Sequence, residues 1–264
     1  MDLELDGKVA LVTGGSRGIG KAIASDLARE GCDVALLART MGPLEQAAAE
    51  IVEATGRRAH PVVADITSTT SIDTAVSAVS QELGPIDILV NCGGGAAGGA
   101  GPLEALKEED LSAGFDVKYN GYLRCVRAVV PGMRARGWGR IINIGGLAYR
   151  TSGTYGVGAR NAAVTHLSKS LADELGPSGI TVNVVHPGST LTERTFEGME
   201  SQAQRQGVTL DQIVAARSEV NAIRRLAKPE EVAHIVVFLC SPKAAVITGD
   251  VVSAGGGGSR SVYY

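Results

Sequence analysis

The feature that most constrains this chain is a glycine-rich turn set directly behind a short apolar run. Residues 8–13 read as a strand buried on both faces, and Thr13-Gly14-Gly15-Ser16-Arg17-Gly18-Ile19-Gly20 follows without a break. Beyond it, Ile19, Ile23 and Leu27 recur at four-residue intervals and therefore share one helical face. Strand, glycine turn and helix in that order aim backbone N–H groups outward at a positive helix end, where a pyrophosphate can approach. A glycine pattern alone would carry little weight; its place between strand and helix gives it force.

The same alternation runs the length of the chain. Gly31 is a left-handed stop for the first helix, and residues 33–38 form the second strand. Pro43 opens a second helix and Gly56 closes it. Then come a strand at 60–65, a helix at 68–83 closed by Gly84, and a strand at 86–91. A long helical stretch at 108–136, with Pro131 near its end, leads to a strand at 140–144, a helix at 161–175 and a strand at 180–186. A helix at 229–240 and a strand at 250–254 finish the series. Seven strands joined by helices require right-handed crossovers, hence a doubly wound parallel sheet in an α/β domain spanning 1–264. Two segments interrupt the rhythm: the glycine-rich 93–101, and 189–222, a mostly polar insertion after the sixth strand that reads as a substrate lid.

Charge excludes several partners. The net charge is −3, so no global field draws the chain to nucleic acid or an anionic membrane. No apolar run is long enough to span a bilayer, and the acidic N-terminus lacks a signal-peptide pattern, so a cytoplasmic location is expected. Cys32, Cys92, Cys125 and Cys240 are scattered, as are His60, His166, His186 and His234, so no metal site is expected.

Thr13-Gly14 through Gly18-Ile19-Gly20 resembles the fingerprint of the short-chain dehydrogenase/reductase family. Further motifs follow in that family's order. They are Asp65 after the third strand, Asn91-Cys92-Gly93-Gly94 as a partial match, Pro187-Gly188 with Thr192, and Ile247-Thr248-Gly249-Asp250 before Gly255-Gly256. The resemblance implies a Rossmann-type, three-layer αβα sandwich holding a nicotinamide dinucleotide. It assigns the cofactor to Gly14, Ser16, Arg17, Gly18, Ile19 and Gly20 in the turn, and to Arg39, Asp65, Ile66, Asn91 and Gly93 along the adenine side. It adds Asn161, Pro187, Gly188 and Thr192 toward the nicotinamide. It also implies a small-molecule substrate and a homo-oligomer, tetramer or dimer. Cofactor choice is read from charge: Ala38 ends the second strand where an NAD-selective site has an acid, and Arg39 and Arg17 suit a 2′-phosphate, so NADP(H) is expected.

The family's chemistry rests on a Tyr, a Lys four residues later on the same helical face, a Ser, and an Asn in the preceding long helix. No Tyr-x-x-x-Lys occurs here. Aligned from both sides, Val157 stands at the Tyr position, Asn161 at the Lys position, Gly146 at the Ser position and Lys118 at the Asn position. The best surviving acid–base pair is Tyr155 with Lys118, provided the helix starts late enough for Tyr155 to fold back over the nicotinamide. Were Tyr155 helical, two residues would turn it about 200° from the required face. Arg160 would lie about 100° from the vacant Lys position. Tyr149, Ser152 and Thr154 are further polar groups in the loop, with nothing to choose among them. The expected function is an NADP(H)-dependent carbonyl/alcohol oxidoreductase with a rebuilt proton donor. The alternative is an NADP(H)-binding, non-catalytic chain or partner subunit.

Overall fold

In the computed structural model, which describes residues 1–94 and 102–258, a seven-stranded sheet forms the centre. The strands are β1 Val9–Thr13, β2 Asp33–Ala38, β3 Ala59–Val63, β4 Ile88–Asn91, β5 Gly139–Ile144, β6 Ile180–Pro187 and β7 Val251–Ala254. Every pairing is parallel, in the order β3-β2-β1-β4-β5-β6-β7. The order reverses between β1 and β4, and there the strand ends open a crevice, the place where doubly wound sheets take ligands.

Successive residues of β1 face opposite sides, as strand geometry demands. Ala10 and Val12 pack with Ile23 and Leu27 of α1 (Gly18–Arg29), Leu44 and Ile51 of α2 (Met41–Thr55), and Val236 of α9 (Pro229–Cys240). Val9 and Leu11 pack on the other side with α3 (Thr69–Glu82), α5 (Gly121–Arg136) and α6 (Tyr155–Leu175) through Ile72, Val126 and Leu171. This gives two helical layers around one sheet, the expected three-layer αβα arrangement. Helix ends follow local chemistry. Ser68 caps α3 by accepting from the Ser71 N–H, and Gly56 ends α2 in the left-handed conformation.

Three details differ from the sequence reading. The stretch 108–136 is α4 (Glu108–Phe115), a π-helical turn at Asp116–Asn120 and then α5, so the chain widens by a turn at Lys118. Helix α6 begins at Tyr155, six residues ahead of the expected start, because its first turn packs on the 3₁₀ turn Leu147–Arg150. The 189–222 insertion is a helical hairpin, α7 (Glu193–Gln206) and α8 (Leu210–Glu219), with a small core of Met199, Ala203, Ile213 and Leu226. A capping box starts α8: the Thr209 hydroxyl accepts from the Gln212 N–H while the Gln212 side chain accepts from the Thr209 N–H. Residues 95–101 of the glycine-rich segment and the aromatic terminus, Tyr263 and Tyr264, lie outside the described residues.

Candidate active site

The carboxyl ends of β1, β2, β4, β5 and β6 enclose a cavity of about 780 Å³, within the range of small-molecule sites. Its floor is the turn after β1, where Gly14, Ser16, Arg17, Gly18, Ile19 and Gly20 all line the space. Gly14 has φ +68, and a Cβ on it would sit 3.0 Å from the Gly93 backbone, so this turn and the end of β4 close on each other only without side chains. The Thr13 hydroxyl ties them together, accepting from the Cys92 and Gly93 N–H groups, each at 3.0 Å. A Cβ on Gly20 would collide with the Gly14 carbonyl. Helix α1 starts behind this turn with no acidic residue in its first turn and no side-chain cap on its N–H groups. It is therefore a free, positive helix end.

One flank of the cavity is lined by Ala38, Arg39, Asp65 and Ile66. The Asp65 carboxylate accepts from the Thr67 N–H and hydroxyl, and those bonds hold it below the usual carboxylate range. On the other flank stand Lys118, Gly145, Gly146, Pro187, Gly188 and Thr192. Thr192 caps α7 and packs against the turn: a Cβ on Gly18 would meet its methyl at 3.3 Å. The start of the 189–222 insertion is thus seated on the glycine turn.

Two residues expected on the cofactor stand one layer back. Asn91 is buried, its Nδ2 donating to Asn143 Oδ1 at 2.9 Å, and it does not line the cavity. Asn161, only 3% exposed, donates from Nδ2 to the Gly146 carbonyl at 3.2 Å and lies behind that glycine. The Oδ1 atoms of both are buried without a hydrogen-bond partner among the described residues.

The expected Tyr155–Lys118 pair is not formed. Tyr155 is the first residue of α6, is 53% exposed and is absent from the cavity lining. The late helix start that would have let it fold back does not occur. Lys118 does reach the site. It is 9% exposed, and Nζ donates to the Gly145 carbonyl at 3.2 Å, directly at the end of β5. Burial pulls its pKa down to about 8, Cys92 opposes this, and the Arg160 charge adds to it.

The sequence reading gave no role to His186, yet the structure buries it directly behind the Gly145-Gly146 turn. Its Nδ1 accepts from the Gly146 N–H at 2.7 Å, its Nε2 meets the Thr165 hydroxyl at 2.9 Å, and the Tyr149 ring stacks on it at 3.9 Å. Burial, with the Lys118 and Arg150 charges, lowers its pKa to about 3, so the imidazole is neutral. Gly145 is required here, since a Cβ would collide with the imidazole. The adjacent Gly145-Gly146 pair was the only trace of this in the sequence.

The short chain dehydrogenase model matches residues 8–203. The chain belongs to the short chain dehydrogenase family. This short chain dehydrogenase is 36% identical over 250 residues to the short-chain reductase protein NovJ of Streptomyces niveus, covering 94% of this chain and 93% of that one. It is 37% identical over 257 residues to the 3-oxoacyl-(acyl-carrier-protein) reductase FabG of Vibrio cholerae, covering 97% and 98%. Among solved structures it is similar to the L-sorbose reductase of Gluconobacter frateurii complexed with NADPH and L-sorbose. The TM-score is 0.94 and the identity 32%, with 99% of this chain and 100% of that chain covered. Its relatives are thus oxidoreductases. Among the described residues this short chain dehydrogenase has no cluster of potential metal ligands and no helix long and apolar enough to cross a membrane.

Proposed function

We propose that this chain is an NADP(H)-dependent oxidoreductase interconverting a carbonyl and an alcohol, with Lys118 as the proton donor and acceptor. The observation that carries the reading is the Lys118 ammonium, buried on the wall of the cavity at the end of β5. A glycine turn closed on Gly93 leaves backbone N–H groups and the free end of α1 for a pyrophosphate. Ala38, in place of an acid, with Arg39 and Arg17 on the lining, suits a 2′-phosphate. NADPH in the L-sorbose reductase complex supports the same choice. The dinucleotide, bound by these residues with Pro187, Gly188 and Thr192, would supply or accept the hydride.

The proton is left to the chain. A general acid works best with a pKa near the operating pH, and Lys118 at about 8 meets that condition. In reduction, a proton leaves Nζ for the carbonyl oxygen; in oxidation, the neutral amine takes the proton from the alcohol. The neighbours are poor substitutes. Both ring nitrogens of His186 are engaged and its pKa is about 3, and the Cys92 thiol is pushed up to about 12 by burial. The Tyr122 hydroxyl is buried, donates to the Ile144 carbonyl and titrates well above its ordinary range.

Stopped-flow oxidation of NADPH with a panel of ketones and oxo acids tests this. Reductive turnover is expected to fall above pH about 8, and Lys118→Met should lower it by about 10²- to 10⁴-fold. Arg39→Ala should weaken NADPH by about tenfold or more and leave NADH unchanged. A chain that binds NADPH tightly yet oxidises it with no carbonyl would be the non-catalytic subunit that the vacant positions Gly146, Val157 and Asn161 also suit.

A further inference from the structure

Three cations from three different elements lie on or behind the cavity lining. Lys118 lies in the π-helical turn, Arg160 on α6, and Arg194 on the first turn of the lid helix α7. Lys118 and Arg194 line the cavity, while Arg160 is 6% exposed and lies behind the lining. Its guanidinium crosses α4 where Gly114 makes room: a Cβ there would come within 2.6 Å of Nη1. The Arg194 charge lowers the proton affinity of Arg160 beyond what burial does, and the Arg160 charge lowers that of Lys118.

Like charges held together in a cleft repel, more strongly as water is excluded. Here the lid carries one of them: the Thr192 cap fixes the start of α7 against Gly18 and so holds Arg194 on the cavity. Nothing described on the chain offsets it. The Arg194 side chain makes no hydrogen bond or ion pair among the described residues. The acids on the same lining are Asp65, satisfied by Thr67, and Glu193. Glu193 precedes Arg194 on the helix, and adjacent helical residues do not face each other. An anion placed between lid and floor would turn the repulsion into attraction and complete the site.

We propose that Arg194, backed by the buried Arg160, binds an anionic group of the substrate, and that the carbonyl compounds this chain takes are therefore oxo acids carrying a free carboxylate. This rests on the carbonyl-reductase reading above. Arg194 makes the contact; Arg160 is a positioning residue that supplies field from behind; Lys118 remains the proton donor. No new bond forms: the carboxylate is held while the carbonyl is reduced.

Matched acids and amides test the inference. Acetoacetate and levulinate are compared with acetoacetamide and levulinamide as substrates with NADPH. The acids are expected to have a kcat/KM at least about tenfold higher, with the difference in KM, as one charge-assisted contact provides. Arg194→Gln should remove most of that advantage and leave the Kd for NADPH unchanged. Arg160→Gln should raise KM for the acids only, and Arg160→Lys should restore it in part. Equal use of amide and acid overturns the proposal. So does an Arg194→Gln variant that weakens NADPH and both substrate types alike, which would assign Arg194 to the dinucleotide pyrophosphate. Calorimetry of glutarate against glutaramide on the NADP⁺-saturated chain separates the two readings. Selective glutarate binding without turnover of any carbonyl would keep the anion site and remove the reductase. Turnover without selective glutarate binding would do the reverse.

Discussion

Lys118→Met should make the protein more stable and less active at once. The ammonium is largely removed from water: Nζ reaches the Gly145 carbonyl at 3.2 Å, the Tyr122 ring centre is 5.8 Å away, and Cys92 and Arg160 are the titratable groups that act on it. A pKa lowered from 10.5 to about 8 means that the charged form is disfavoured by about 3 kcal/mol in the folded state. Methionine fills similar space with no charge and gives up one hydrogen bond, worth about 1 kcal/mol. The net gain at pH 7 is therefore about 2 kcal/mol, or a rise of about 4 to 8 °C in Tm for a chain of this size. The sign of the pH dependence follows. Between pH about 8 and 10.5 the unfolded chain holds the Lys118 proton and the folded chain does not, so wild-type stability rises through that window. The advantage of the variant is full below pH about 8 and mostly gone by pH about 9.5. Urea unfolding of both proteins at pH 7 and pH 9.5 measures this. A variant less stable than wild type by the same amount at both pH values would refute a buried charge at Lys118.

Other outcomes follow from the same geometry. Gly20→Ala should destabilise the chain by about 2 to 4 kcal/mol, because the added methyl would collide with the Gly14 carbonyl and the turn must shift. Thermal unfolding measures that loss, and NADPH titration should show weakened binding alongside it. Tyr155→Phe should leave turnover within about twofold of wild type, since the side chain is half exposed and outside the cavity. A loss of a hundredfold would return Tyr155 to the chemistry.

The strand–turn–helix at 8–27 was fully legible, because a buried parallel strand is a continuous apolar run and the glycines admit only one kind of turn. The 189–222 insertion was harder to read. Its hairpin has a core of only Met199, Ala203, Ile213 and Leu226 within a polar sequence, too sparse for a clear helical period. The start of α6 was misplaced because 155–160 is rich in glycine and lacks an apolar stripe; contacts with the 3₁₀ turn at 147–150 hold it helical instead. That shift alone decided the fate of Tyr155.

The sequence by itself determined the parallel sheet, the glycine turn after β1 and the alternation of strands with helices. All of these are matters of local period and chain order. Tertiary structure alone decided that Lys118 is buried at the end of β5, that His186 is a neutral, buried imidazole held by Gly146 and Thr165, and that the Arg194 charge acts on Arg160. Solvation and charge proximity join residues distant in the chain, so no local pattern can encode them.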